Sequence, residues 1–366
     1  MKKIKMILTN GFDPDPRVYK EARTLVDNGF DVEVLCWDRE NKYLDKAEET
    51  LDGIKVKRFF PKSMYGSGIK QFYPYYLFIK EIKVYLKGFR FDILHAHDVD
   101  GTFAATLIKK DFKLIWDMHE FYDGSNNMIS KLNKLLAPRC FKKSDGIIIV
   151  SEEQKRRYSN KIKRKTKVQL IANAAEARIF KDVKHVPSDK LRISFIGSVR
   201  DLESLKFMMD IADKSNDLIF NIHGGGHALD KVKDYAKDKK NIRVTGQYNY
   251  DKAYELYSNT DLVYSVYSDR INIKGAMANK FFEAILSEVP IVANKNTYNG
   301  DLIDKLGVGF TIDVGNDEEM LKVISLIKKD SNILKEKKRN ILEIKDSFSW
   351  EEEGRKLVSF YKDILN

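Results

Sequence analysis

Cysteine is almost missing from this chain. Cys36 and Cys140 are the only two in 366 residues, and both lie in apolar surroundings. A disulfide framework is thereby excluded, and the pair reads as core thiols of a reducing compartment. Long apolar runs are missing too, since no segment approaches the ~20 apolar residues that a membrane-spanning helix needs. The opening MKKIKMILTNGFD places lysines before an apolar stretch, but Lys5 interrupts it and Met6 to Leu8 is too short for a secretion signal. A cytoplasmic protein is expected. Low-complexity tracts, short-period repeats and a dedicated nucleic-acid motif are also lacking.

What is present is positive charge, a net +11 at neutral pH. Such a balance points to nucleic acid, an anionic membrane or phosphorylated small molecules, and composition alone does not choose among them. The length fits two domains of roughly 150–190 residues. Short apolar runs of strand length recur in rotation with amphipathic helical stretches. In the first half they are Lys3 to Leu8, Asp31 to Cys36, Phe91 to His95, Lys113 to Asp117 and Gly146 to Ser151. The rotation restarts with Leu191 to Ile196, then Leu218 to His223, Asn241 to Thr245, Asp261 to Tyr264, Pro290 to Ala293 and Gly309 to Ile312. Strand and helix in alternation predict parallel strands with crossover helices, here two doubly wound sheets. The polar stretch Phe180 to Lys190, with Pro187, reads as the linker.

Doubly wound sheets bind ligands beyond the carboxyl ends of their strands. The residues following these strands are polar or glycine-rich throughout: Asn10-Gly11, His95-Ala96-His97-Asp98, Met118-His119-Glu120, Gly197-Ser198-Val199-Arg200 and Gly224-Gly225-Gly226. A glycine at a strand exit lets the backbone approach a phosphate, and the next helix adds N–H donors. Arg200 can grip a phosphate through two hydrogen bonds and Lys206 adds a point charge; an ordinary turn with surface charges is the alternative. His223-Gly-Gly-Gly-His227 reads as a strand-to-helix turn or a mobile one, its glycines arguing against a helical pair of metal ligands. His95 and His97, two apart, share one strand face, yet no cysteine or acidic cluster at ligand spacing accompanies them. His119 suits a sugar hydroxyl or a structural hydrogen bond equally. Glu283 sits early in a helix, where a carboxylate either complements the dipole or accepts two ribose hydroxyls.

In order and spacing these pieces resemble the GT-B glycosyltransferases of the group 1 or family 4 type, metal-independent and retaining. The matching segments are DPRVYKEARTLVDNGFDVEVL, FDILHAHD, DMHE, SDGIIIVSEEQ and LIANAAE, then FIGSVR, IHGGG, NIRVTGQYNYDKAYELYSNTDLVY and NKFFEAILSEVPIVA. The resemblance implies two Rossmann-like domains facing a central cleft: 1–180, joined by a terminal crossover helix over 347–366, and a nucleotide-sugar domain over 181–346. It implies His119 near the transferred sugar, Arg200 on the pyrophosphate with Lys206 beside it, and Glu283 on the ribose. Gly11, Gly225, Tyr248 (under the base), Asn279 and Lys280 fall on the donor side, Asp98 and Arg17 on the acceptor side. Gly275 stands where the first glutamate of the family's E-x7-E motif belongs, and Phe207 replaces the glycine that usually follows Lys206. A nucleotide-sugar, with UDP favoured, is the implied donor; no metal or cofactor is implied.

Residues 62–90 interleave lysines with tyrosines and phenylalanines. That mixture suits either the headgroup zone of an anionic membrane or a core-facing helix with solvated lysines. The membrane reading implies a lipid-linked saccharide acceptor and peripheral attachment to the inner face of the cell membrane, as in cell-surface polysaccharide or glycolipid synthesis. Other readings are a GT-B nucleotide-sugar epimerase and a non-catalytic nucleotide-sugar-binding protein.

Overall fold

The structure is a computed structural model describing residues 1–13, 15–64, 68–108, 111–123, 128–268, 277–330 and 332–366. It divides into two compact units, Met1–Ala172 with Gly354–Asn366, and Asn173–Glu353. The family pattern's Gly275 lies outside the described residues.

Among the described residues the first unit carries eight strands. They are β1 (Lys3–Leu8), β2 (Asp31–Trp37), β3 (Glu48–Leu51), β4 (Ile54–Phe59), β5 (Ile93–His97), β6 (Lys113–Met118), β7 (Gly146–Ile149) and β8 (Lys167–Leu170). Their order is β3-β4-β2-β1-β5-β6-β7-β8. All pairings are parallel except β3 with β4, whose hairpin turns at Asp52 (φ +49°) and Gly53 (φ +84°). This antiparallel edge departs from the all-parallel expectation. Both turn residues have positive φ, as a two-residue hairpin of the primed type requires, and Asp-Gly supplies them readily. The central strands are buried almost end to end, so their sequences read as continuous apolar runs.

The terminal helix Trp350–Leu365 contributes its residues from Gly354 onward to this unit. It lies against β7 at Gly146, where an added Cβ would stand 2.8 Å from Phe360 and 2.9 Å from Ile364. A larger residue there would make the ends of those two side chains shift. Tyr361 of the same helix is fully buried, with its Oη 2.5 Å from His95 Nδ1.

In the second unit, β9 (Leu191–Ile196), β10 (Leu218–His223), β11 (Ile242–Gly246), β12 (Leu262–Ser265), β13 (Ile291–Asn294) and β14 (Gly309–Ile312) pair in parallel. The order is β11-β10-β9-β12-β13-β14. Phe180 packs edge-on against Tyr257 at 5.5 Å, so the stretch read from sequence as a linker begins inside this unit. Each sheet reverses direction beside its first strand, at β1/β5 and at β9/β12. The crevice of a doubly wound sheet opens at that point.

Candidate functional site

In the first unit the crevice is built from the ends of β1, β5 and β6. Three histidines and four charged side chains gather there. His95 and His97 project from the same face of β5, Asp117 is the penultimate residue of β6, and His119 follows that strand. Arg17 and Glu21 descend from the helix Pro16–Asp27, whose N-cap is Asp15. Asp117 is fully buried and accepts from Arg17 Nε at 2.9 Å, Arg17 Nη2 at 2.8 Å and His119 Nε2 at 2.7 Å. His97 Nδ1 lies 3.3 Å from Asp117 and 3.1 Å from His119. On its other side His119 Nδ1 faces Asp98 at 3.5 Å. Asp98 opens the helix Asp98–Thr106 with φ +56°, a strained conformation for a non-glycine residue.

These contacts decide the charges. Burial alone would lower the His119 pKa, but Asp98 and Asp117 outweigh it and lift the group to about 10. Its imidazole is therefore a cation at neutral pH, able to donate a hydrogen bond and unable to serve as a base. Burial also raises Asp117, but Arg17 and His119 hold it well below the usual carboxylate range. Burial, with Asp117 adding to it, lifts Glu21 to about 8. Burial keeps His95 and His97 neutral.

Ligating atoms of Glu21, His95, His97 and Asp117 lie within 4.8 Å of one another, a grouping that could hold a metal ion. Sequence spacing missed it because Glu21 and Asp117 come from distant segments. Arg17, however, stands 3.0 Å from Glu21 and 2.8 Å from Asp117, so its guanidinium already supplies the cation that the buried Asp117 carboxylate faces. Arg17 was expected on the acceptor side. It is instead 5% exposed, spending its donors on Asp117 and the Ile171 carbonyl, and so holds the crevice together. A cavity of about 210 Å³ opens beside the end of β1, lined by Asn10, Gly11, Asp13, Asp15, Asp38, Arg39, Glu40, Lys42 and Tyr43. Gly11 keeps its expected place at the strand exit, its carbonyl accepting from Arg58 Nε at 3.0 Å.

In the second unit the glycine loops interlock. Gly197 N–H donates to the His223 carbonyl at 2.9 Å, Val199 N–H to Gly225 at 2.8 Å, and Gly224 N–H to Gly246 at 2.7 Å. Gly224 has φ +143°, and a Cβ there would lie 1.8 Å from the Gly197 carbonyl oxygen. Gly226, φ +149°, would place one 2.3 Å from the Val199 carbonyl. Two of the three glycines are thus demanded by backbone against backbone. Close approach of backbone to backbone, and not a need for mobility, therefore accounts for Gly224 and Gly226. His223 Nδ1 pairs with Thr245 Oγ1 at 2.8 Å, and burial lowers it to about 4.

Lys280 brings its ammonium to this loop. The side chain is 7% exposed, donates to Tyr267 Oη at 2.6 Å and lies 4.0 Å from the Phe195 ring. A Cβ on Gly197 would be 3.1 Å from its Nζ. Lys206 instead holds its ammonium 4.5 Å over the Tyr235 ring, and Arg200 is exposed just past the loop. Asn279 begins the helix Asn279–Leu286 and its Oδ1 accepts from Asn173 at 3.2 Å. Glu283, one turn on, is 6% exposed and accepts from Tyr257 Oη at 2.7 Å and Tyr250 Oη at 3.1 Å. Tyr248 is half-buried, near enough to Glu283 that its pKa, raised first by burial, is raised further by that carboxylate.

Residues 17–177 match the model of Glycosyltransferase Family 4, and residues 178–344 that of Glycosyl transferases group 1. The chain belongs to this glycosyltransferase family. The sucrose-phosphate synthase from Thermosynechococcus elongatus shares its fold with TM-score 0.80 at 12% identity, covering 100% of this chain and 99% of the other. Anabaena HepE in complex with UDP-glucose aligns with TM-score 0.74 at 13% identity over 99% and 100%. S. aureus TarM in complex with fondaparinux, α-GlcNAc-glycerol and UDP gives 0.67 at 14% identity over the whole of both chains. These likenesses establish a GT-B fold. No curated protein matches the sequence significantly. For a glycosyltransferase, the charge of His119 and the Gly197 cradle are the two chemically informative features. Tyr250, Tyr257 and Asp117 are polar partners that motif reading did not single out.

Proposed function

We propose that this glycosyltransferase moves a hexosyl or N-acetylhexosaminyl group from a UDP-sugar to a saccharide or lipid-linked saccharide, with retention and without a metal. The observation that carries the reading is the Gly197 cradle with the buried Lys280 ammonium beside it. Closely approached backbone and a fixed cation suit a diphosphate at a strand exit. In the proposed reaction the bond from sugar C1 to the diphosphate oxygen breaks. The acceptor oxygen bonds to C1 from the same face, and its proton passes to the departing phosphate. Arg200 and Lys280 offset the charge that develops on the diphosphate, so protein cations do what a divalent ion does elsewhere, while Lys206, expected beside them, is turned to the Tyr235 ring. His119, held as an imidazolium with its N–H groups turned to Asp117 and Asp98, acts on the sugar through its positive charge, while Glu283 accepts from the ribose. HepE in complex with UDP and with UDP-glucose supports UDP as the nucleotide.

The acceptor is proposed for the first unit, in the cavity beside Gly11, where Asp13, Asp15, Asp38 and Glu40 suit sugar hydroxyls. No helix among the described residues is long and apolar enough to cross a membrane. The helix Phe72–Leu86 nevertheless buries Phe78, Ile79 and Ile82 while exposing Phe72 (48%), Tyr73 (69%) and Tyr76 (59%). Exposed Lys80 and Lys87 flank them. We read this face as a peripheral contact with an anionic membrane, consistent with a lipid-linked acceptor of surface polysaccharide synthesis. Absence of cosedimentation with anionic liposomes at low salt refutes that part.

The donor reading is tested by thermal shift with UDP, GDP, ADP and their sugar conjugates, with and without EDTA. Ligand at a hundred times its dissociation constant stabilises by about 2.7 kcal/mol. EDTA-insensitive stabilisation by UDP or a UDP-sugar is expected. Stabilisation that EDTA abolishes, or none with any nucleotide, overturns it.

A further inference from the structure

We infer that Tyr250 is a plug that occupies the ribose-binding oxygen of Glu283 until a nucleotide displaces it, and that Tyr257 is the residue that positions that carboxylate. The inference rests on the reading of Glu283 as the ribose ligand. The two tyrosines offer Glu283 the same chemistry in opposite settings. Tyr257 is fully buried in the helix Ala253–Ser258, its ring held edge-on by Phe180 at 5.5 Å, and its phenol bonds Glu283 Oε2 at 2.7 Å. Tyr250 lies in the single turn Tyr250–Lys252, is 41% exposed, meets Phe180 only at 6.5 Å, and reaches Glu283 Oε1 at 3.1 Å. One bond is short and sequestered. The other is longer and only part-buried, on a residue that is 41% exposed.

A phenol hydroxyl on a carboxylate presents the same donor that a ribose hydroxyl would. Glu283 is itself nearly inaccessible at 6% exposure, and the half-exposed Tyr250 reaches the Oε1 side. A ribose arriving at Oε1 therefore exchanges one O–H donor for another, with the ring of Tyr250 released toward water. Burial and the Glu283 charge push both phenol pKa values up, which keeps both groups protonated as donors throughout the neutral range. Tyr257 does not exchange: its bond to Oε2 fixes the carboxylate plane, so Oε1 faces the incoming diol in one orientation.

The experiment is calorimetric titration of the full chain with the tightest binder among UDP, GDP and ADP, and with the 2′,3′-dideoxy form of that nucleotide. Tyr250→Phe should bind the ribonucleotide about three- to tenfold more tightly, the scale of an ordinary net hydrogen bond at a partly exposed site. Its affinity for the dideoxy form should not change, because that ligand has no hydroxyl to exchange. Tyr257→Phe should lose about tenfold for the ribonucleotide alone, narrowing the discrimination that a purely structural defect would leave intact. Should Tyr257→Phe fail to fold, Tyr250→Phe decides, since its side chain is at the surface. A wild type that prefers the ribonucleotide, joined to a Tyr250→Phe that binds it no better, overturns the plug and leaves Glu283 as the ribose ligand. Equal affinity of the wild type for both forms, or no binding of any of the three nucleotides, overturns the reading of Glu283 and the plug with it.

Discussion

Asp117→Asn is the most demanding test of the first unit. The carboxylate is fully buried and serves three donors, two from Arg17 and one from His119, at 2.7–2.9 Å. An amide keeps one acceptor oxygen and turns the other position into a donor, which then points at a guanidinium or an imidazolium. Removing one partner of a buried ion pair typically costs about 3–5 kcal/mol, because the other charge is left uncompensated. In a unit of roughly 185 residues each kcal/mol lowers Tm by about 2–4 °C, so calorimetry of the full chain should show a fall of about 6–20 °C in that unit's transition. Histidine NMR gives a second reading, with His119 titrating well below the wild-type value of about 10. The sign of the pH dependence follows. A pKa raised above the unfolded value of ~6.5 means that the native state holds one extra proton between there and about 10. Stability from this site is complete below ~6.5 and is lost at up to about 1.4 kcal/mol per pH unit as pH rises through that window. Asp117→Asn should flatten this slope. A Tm within about 3 °C of wild type, or an unchanged His119 titration, refutes the account.

Two further outcomes concern the second unit. Lys280→Met keeps the stem's volume against Phe195 and removes the ammonium, so Tm should hold while kcat falls about 10²–10³-fold, read from nucleotide release at saturating donor; an unchanged kcat removes Lys280 from the phosphate site. Gly224→Ala forces a Cβ toward the Gly197 carbonyl at φ +143°, and should destabilise by at least about 2 kcal/mol in denaturant titration; a neutral result would mean the loops are not interlocked as described.

The strands that cross the middle of each sheet were legible because burial on both faces makes them continuous apolar runs. In the first unit the strands at and next to the edges were not, because Glu48–Leu51, Ile54–Phe59 and Lys167–Leu170 are half polar; the edge strands of the second unit, Ile242–Gly246 and Gly309–Ile312, were. The site followed a similar division. Polar strand exits could be read from the residues after each run, but Arg17 and Asp117 are a hundred residues apart and meet only because β1, β5 and β6 are neighbours. The glycine triplet showed a turn without showing that two of its members face backbone oxygens. Lys280 and Lys206 were equal cations in sequence, and only the side-chain directions separate them.

The bond between Tyr361 and His95 has a consequence for how the protein is made. His95 belongs to a strand translated early, yet its buried ring is covered by a residue near the last position of the chain. Synthesis from Ala172 to Tyr361, at about 5–20 residues per second, leaves the first unit without that cover for roughly 10–40 s. The covering of His95 is thus a late step, and a ribosome that stalls anywhere in the second unit leaves that ring without Tyr361 against it.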